Sequence, residues 1–169
     1  HRLCLARGEV ADDQIDAAIV ANPPPGQLQG LPRLRLIQSL WAGVDRLLAD
    51  ATLPAGVPIA RMVDPAMNAA MAETALWAVL ALHRGFFAYA RAQREGRWHA
   101  HVQERAEEVP VLVLGQGQMG RTAAARISQQ GYPVTGWRRD SGTLAPLLAR
   151  SRIVINLLPL TPQTRGLLD

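Results

Sequence analysis

The chain has 169 residues, a formal net charge of +4 and no lysine, so that all 18 basic residues are arginine. That length holds one domain or parts of two around a substantial core. The arginine-only usage beside abundant alanine reads as compositional bias of the source genome, and no compact basic and aromatic patch supports nucleic-acid binding. The single cysteine, Cys4, excludes an internal disulfide and fits a reducing, cytoplasmic setting. No secretory signal is visible, no apolar run is read as a membrane span, and no metal site is expected.

The first third reads as strands separated by turns and short helices. Ala17-Ala18-Ile19-Val20 is a short apolar run stopped by Asn22-Pro23-Pro24-Pro25-Gly26, which cannot continue regular structure. Leu34 to Leu40 alternates in the manner of a half-buried strand and leads into Trp41-Ala42-Gly43-Val44-Asp45, with a short helical stretch to Ala49. Val57 to Met62 is another strand candidate, closed by Asp64-Pro65, a helix cap and first helical residue. Strands joined this way predict a small parallel sheet.

Asn68 to Phe87 carries the longest helical signal, with Ala72, Ala75, Leu76, Val79, Leu80, His83, Phe86 and Phe87 at three- and four-residue steps. Met71, Ala78 and Leu82 make the other side apolar too, which predicts a helix buried between layers. Met67 and Met71 read as core residues. Glu73, a carboxylate amid small apolar neighbours, calls for a partner. A second helix is expected through Arg94, ending at Gly96, with a domain boundary near Tyr89. The polar stretch from Arg97 to Glu108, carrying His99 and His101, reads as a solvated connection, whereas His83 reads as a packing residue.

Val111 to Leu114 is a continuous apolar run suited to a strand buried on both faces. Gly115, Gly117 and Gly120 follow in the spacing G-x-G-x-x-G, and a helix opens at Gln118 with Ala123, Ala124 and Ile127 facing inward and Gly131 ending it. In such a turn the first glycine permits the tight bend, the second lets the backbone approach a pyrophosphate, and the third lets helix and strand pack closely. Pro133 to Trp137 reads as the next parallel strand, so the whole is a βαβ unit offering free N–H groups and a positive dipole end to phosphate. A methyltransferase-type nucleotide fold also has a glycine-rich first turn and is the rival reading. The end of the second strand holds Trp137-Arg138-Arg139 rather than an acid for ribose hydroxyls. Two guanidiniums there suit a 2′-phosphate, favouring NADP(H) over NAD(H), although both could be solvated surface arginines.

Leu144 to Ala149 reads as a short helix and Arg152 to Leu158 as a third buried strand, with a ligand-facing loop from Pro159 to Thr164. The usual strand order 3-2-1-4-5-6 predicts that the glycine-turn strand has one edge unpaired in a chain ending at Asp169. The sequence begins with His1, so both ends are expected to be incomplete. The segment by itself is then expected to self-associate and to turn over no substrate.

Four stretches together resemble the D-isomer-specific 2-hydroxyacid dehydrogenases, and most closely the glyoxylate/hydroxypyruvate reductases. They are Leu40 to Asp45, Met71-Ala72-Glu73 with the helix to His83-Arg84, Gly115 to Gly120, and Asn156 to Thr161 with Thr164-Arg165-Gly166. The resemblance implies an α/β chain, a partial flavodoxin-like substrate domain over 1–88 followed over 89–169 by the first half of a Rossmann NAD(P)-binding domain, with the active site in the cleft between them. It implies NADPH-dependent reduction of small 2-oxoacids and a homodimer when complete. Substrate carboxylate would meet backbone N–H groups of Ala42, Gly43 and Val44, which fits the reading of a glycine-containing turn as a source of anion-binding amides. Trp41 would wall the substrate pocket, with core packing as the alternative for a lone tryptophan. Cofactor would meet Gly115, Gly117, Gln118, Met119, Gly120, Trp137, Arg138, Arg139, Leu158, Pro159 and Thr164. The family's arginine, glutamate and histidine would come after Asp169, so no catalytic residue is expected in this chain, and His83, His99 and His101 match none of those motifs. The alternative from another class is a nucleotide-sensing, corepressor-like binding protein on the same fold.

Overall fold

Proline and glycine punctuation divides the start of the chain into short parallel strands. In a computed structural model describing Leu3–Leu168, β1 (Ala17–Val20), β2 (Leu36–Ser39) and β3 (Ile59–Ala60) form a parallel sheet in that order, with α1 (Asp45–Leu48) between the last two. Its core is one-sided: Leu28, Leu31, Leu34, Ile37 and Leu47 are buried together, while Ile19 and Leu36 on the strands stay exposed. The residues up to Val63, together with those from Pro159 onward, make one compact unit, and Asp64–Leu158 make the other.

The second unit opens with α2 (Pro65–His83), whose start follows from local chemistry. The Asp64 carboxylate accepts from the Ala66 N–H at 2.9 Å, and Pro65 at the first helical position lacks a donor that would need a partner. The helix stops at Arg84 because Gly85 takes the left-handed conformation at φ 68°, and α3 (Phe86–Arg94) starts anew. The break therefore falls before Phe86 and Phe87, which the sequence pattern extends into the first helix. The expected burial between layers is also corrected. Ala72, Ala75, Val79 and Ala81 are buried, but Trp77, Leu82, Phe86 and Phe87 remain exposed, and Met67 and Met71 are half-buried. Glu73 likewise stands on the exposed side, with Arg126 at 3.6 Å. The 19-residue α2, with a window of mean hydropathy 1.2, is long and apolar enough to cross a membrane by length and composition, contrary to the reading that no run qualifies. Its buried Ala72, Ala75 and Val79 pack with Ala123 and Ile127 of α4.

β4 (Val111–Leu114), α4 (Gln118–Ser128), β5 (Val134–Trp137), α5 (Ala145–Ala149) and β6 (Ile153–Asn156) complete this unit as the periodicity predicts. The strand order is β5-β4-β6, all parallel. This overturns the expected open edge on the glycine-turn strand. Val111 N–H donates to Pro133 O and Gly115 N–H to Trp137 O on one side, while Arg152 N–H donates to Pro110 O and Leu157 N–H to Leu114 O on the other. All four β4 residues are at most 1% exposed, and a strand with no polar side chain and no solvent access must pair its backbone on both edges. β6 supplies the second edge, and is itself only partly buried, with Val154 and Asn156 exposed. With both edges of β4 paired, no open edge on that strand remains to drive self-association.

The break between compact units at Asp64 also differs from the expected boundary at 88/89. The cause is α2, which packs on α4 and touches β6 and so belongs with the nucleotide-type sheet. Away from the glycine turn this unit is fastened by a polar clip. The His83 ring nitrogens meet Tyr132 Oη at 2.7 Å and the Glu104 carbonyl at 3.0 Å, and the Glu104 carboxylate holds Arg152 by two bonds of 3.0 and 3.1 Å. A carbonyl can only accept, so Nε2 donates and Nδ1 of the neutral ring accepts from the tyrosine hydroxyl. Burial pushes the Tyr132 hydroxyl above its ordinary value, opposed by the nearby Arg84 charge.

Candidate cofactor and carboxylate sites

The glycine turn shows why three glycines stand at this spacing. At Gly115, φ is +93°, and an added Cβ would sit 2.8 Å from Leu157 O. At Gly120 it would sit 1.7 Å from Gly115 O, so no side chain fits between the start of α4 and the strand. At Gly117 an added Cβ meets nothing within 4 Å, and its φ of −69° is open to any residue. Neither packing nor backbone strain therefore calls for glycine at 117. The remaining physical reason is room for something to approach the backbone there. Among the described residues no partner takes the N–H groups of Gln118, Met119 or Gly120, which begin α4 without a side-chain cap. They and the aligned dipoles of an 11-residue helix face the open position with positive charge.

This turn lies where the strand order reverses, since the chain leaves β4 for β5 on one side and returns to β6 on the other. In open parallel sheets that switch point opens the crevice at the strands' carboxyl ends. The strand order and the glycine turn define an α/β unit of Rossmann type.

Arg138 and Arg139 project exposed from the end of β5, and Arg138 Nε lies 2.6 Å from Asp140 Oδ1. Trp137, by contrast, is 5% exposed and donates its indole N–H to Gly142 O at 3.0 Å, so its ring belongs to the fold. Gln116 was not among the expected site residues. Its amide nitrogen donates to Val113 O at 3.0 Å, and its side chain covers Gly136, where an added Cβ would fall 2.4 Å from it. A glycine inside the β5 pattern was the sequence signal for that close approach. On the loop after β6, Leu158 N–H donates to Asn156 Oδ1 at 3.1 Å.

In the other unit, Trp41 is 52% exposed and free of the core, and its N–H is held by Ser39 Oγ at 3.1 Å. The following amides of Ala42, Gly43 and Val44 have no acceptor among the described residues. Pro159 is exposed, and the Thr164 hydroxyl is engaged within its own turn, donating to Pro159 O at 2.5 Å and accepting from Thr161 N–H at 2.8 Å. It orders that turn. Of the histidines, His83 is fully engaged in its clip, and His101 stacks on Tyr89 at 4.3 Å rather than standing in solvent, with His99 5.4 Å from it.

Residues 76–169 match the family model of the D-isomer specific 2-hydroxyacid dehydrogenase, NAD binding domain, and the chain belongs to that family. It is 33% identical over 175 residues to glyoxylate/hydroxypyruvate reductase A of Serratia proteamaculans, covering 94% of this chain and 56% of the relative. The same enzyme of Photorhabdus laumondii is 34% identical over 171 residues, covering 91% and 55%. Among solved structures, a D-isomer specific 2-hydroxyacid dehydrogenase from Xanthobacter autotrophicus Py2 in complex with NADPH and MES superposes with a TM-score of 0.88 at 41% identity, covering 95% of this chain and 55% of that one. An NADPH-dependent glyoxylate/hydroxypyruvate reductase from Sinorhizobium meliloti in complex with NADP and sulfate gives 0.80 at 33% identity, with 90% and 51% covered. The chain spans about half the length of the curated relatives it matches.

Proposed function

We propose that this chain binds NADP(H) and belongs to a reductase that converts small 2-oxoacids, glyoxylate and hydroxypyruvate among them, to 2-hydroxyacids. The observation that carries the reading is the open position above Gly117, flanked by two glycines that packing requires and faced by unpaired helix N–H groups. When bound, NADPH supplies the hydride that reduces the substrate carbonyl. The protein's own groups do the rest by binding and orienting. The amides of Gln118, Met119 and Gly120 take the pyrophosphate. Arg138 and Arg139 take the 2′-phosphate, for which a guanidinium offers a matching fork of donors. The unpaired amides of Ala42, Gly43 and Val44 hold the substrate carboxylate, with Trp41 as an apolar wall. Leu158 and Pro159 border the cofactor, and Thr164 keeps their loop in shape. The proton donor is assigned to none of His83, His99 and His101.

The relatives compared above are reductases and dehydrogenases, and nothing in them favours the corepressor-like alternative. The exposed Trp77, Leu82, Phe86 and Phe87, with Trp77 edge-on to Phe87 at 6.3 Å, support a homodimer covering the α2 and α3 face. A lone free cysteine supports a cytoplasmic setting. The test is steady-state reduction of glyoxylate and hydroxypyruvate by the native full-length protein, with NADPH and with NADH. NADPH-dependent turnover of either acid is expected; turnover of neither by a protein that binds NADPH would defeat the substrate assignment.

A further inference from the structure

Trp137 was expected to meet cofactor, yet its ring is buried and its one polar atom points away along the chain. The bond from Nε1 to Gly142 O, at 3.0 Å, spans the residues that carry the exposed charges. Inside that span Ser141 N–H donates to Arg138 O at 2.8 Å, closing a turn over Arg138-Arg139-Asp140-Ser141. Gly142 accepts the indole bond while at φ +86°, a conformation an L side chain rarely adopts, and nothing lies within 4 Å of where its Cβ would be. A buried donor whose only described acceptor is a surface-loop carbonyl holds that loop firmly, because breaking the bond leaves the indole N–H unsatisfied. The turn is thus tied at both ends to β5. The Asp140 carboxylate meets Arg138 at Nε, which leaves both terminal nitrogens of the guanidinium for another acceptor.

We infer that Trp137 is a positioning residue for 2′-phosphate recognition: its indole N–H, bonded to Gly142 O, fixes the Arg138–Ser141 turn so that its guanidiniums are presented in place. The inference rests on the NADP(H) reading above. The groups that meet phosphate are then exposed, and the group that aims them is buried. The arrangement makes discrimination between phosphorylated and unphosphorylated ribose depend on a residue that touches neither.

The test uses calorimetric titration of the native full-length protein with 2′,5′-ADP and with 5′-AMP. The parent should bind 2′,5′-ADP at least tenfold more tightly; no preference would overturn the 2′-phosphate reading and this inference with it. Trp137→Phe keeps a buried ring and deletes the donor. It should lower the preference by about threefold or more, through weaker 2′,5′-ADP binding with 5′-AMP unchanged. Gly142→Ala disturbs the same bond from its other end without a clash and should move the ratio in the same direction. A parent that discriminates beside a folded Trp137→Phe that retains the full ratio, or loses both ligands equally, would overturn the positioning role alone. If Trp137→Phe fails to fold, an unchanged ratio in Gly142→Ala overturns it.

Discussion

Each unit has a turn leading from a parallel strand into a helix, and the two turns are built to different tolerances. Trp41 to Val44 follows β2 and opens the four-residue α1. Its one glycine has a φ outside the left-handed range, and an added Cβ would lie 3.3 Å from the exposed Asp45 carboxylate, which can swing aside. Gly115 to Gly120 follows β4 and opens an 11-residue helix, and two of its three glycines have backbone where a side chain would go. The difference follows from where each strand lies. β4 is central, wholly buried and at the reversal of strand order, so its helix must start hard against the sheet. A glycine pattern is thus informative in proportion to the packing around it.

The largest expected effect breaks this contrast directly. Gly120→Ala puts a methyl group into the Gly115 carbonyl, which backbone on both sides prevents from moving, and should cost on the order of 3 kcal/mol or more of stability. Gly43→Ala should stay within about 0.5 kcal/mol of the parent. Denaturant unfolding of the two variants side by side measures it, and similar losses would mean that the turns do not differ as described.

Gly117→Val separates space kept for a ligand from space needed by the fold. Because its Cβ meets no protein atom, the variant should unfold like the parent. Its binding of NADPH, followed by cofactor fluorescence, should fall by about tenfold at least, equivalent to roughly 1.4 kcal/mol. Parental affinity in a folded variant would assign the whole turn to packing.

A comparable effect is expected at the end of β5. Arg138→Asp removes a charge-assisted contact worth about 1.5–3 kcal/mol, and should erase or reverse the preference for NADPH over NADH. Equal affinity for the two cofactors in the parent would remove the basis for assigning Arg138 to phosphate.

Much of this was legible in the residues because the informative features are local. The all-apolar Val111–Leu114, the glycine spacing and the Asp64-Pro65 cap each state a physical demand that one short stretch satisfies. What was not legible depends on contacts distant in sequence. The side of β4 on which β6 pairs is decided by which edge remains open, and the periodicity of Ile153–Asn156 is the same on either side. The assignment of α2 to the second unit turns on alanines that look alike wherever they pack. At the candidate site the glycine spacing and the paired Arg138 and Arg139 stand out by residue type, whereas the inward turn of Trp137 and the brace formed by Gln116 required knowing what lay beside them.

The smallest effect distinguishes the two units by pH. In the first, Asp12 is held below the usual carboxylate value mainly by its hydrogen bond to Arg7, and Asp50 by its bonds to Thr52 and to Gly26 N–H. Such groups favour the folded state above their unfolded value of 3.8, and that contribution disappears as pH falls through the lowered folded values. In the second unit the sign is opposite. Tyr132 keeps its proton in the folded state to higher pH than when unfolded, so its contribution is complete below 10.0 and lost as pH rises through the raised folded value. Losing that proton also takes from His83 Nδ1 the donor it accepts from at neutral pH. Hydrogen exchange followed peptide by peptide should therefore show the segments around Asp12 and Asp50 loosening first in acid, and those around His83 and Tyr132 first in alkali. Tyr132→Phe should abolish the alkaline part while lowering neutral-pH stability by about 1–2 kcal/mol, because a half-buried ring nitrogen loses its partner. Alkaline loosening that persists unchanged in Tyr132→Phe would assign it to another group.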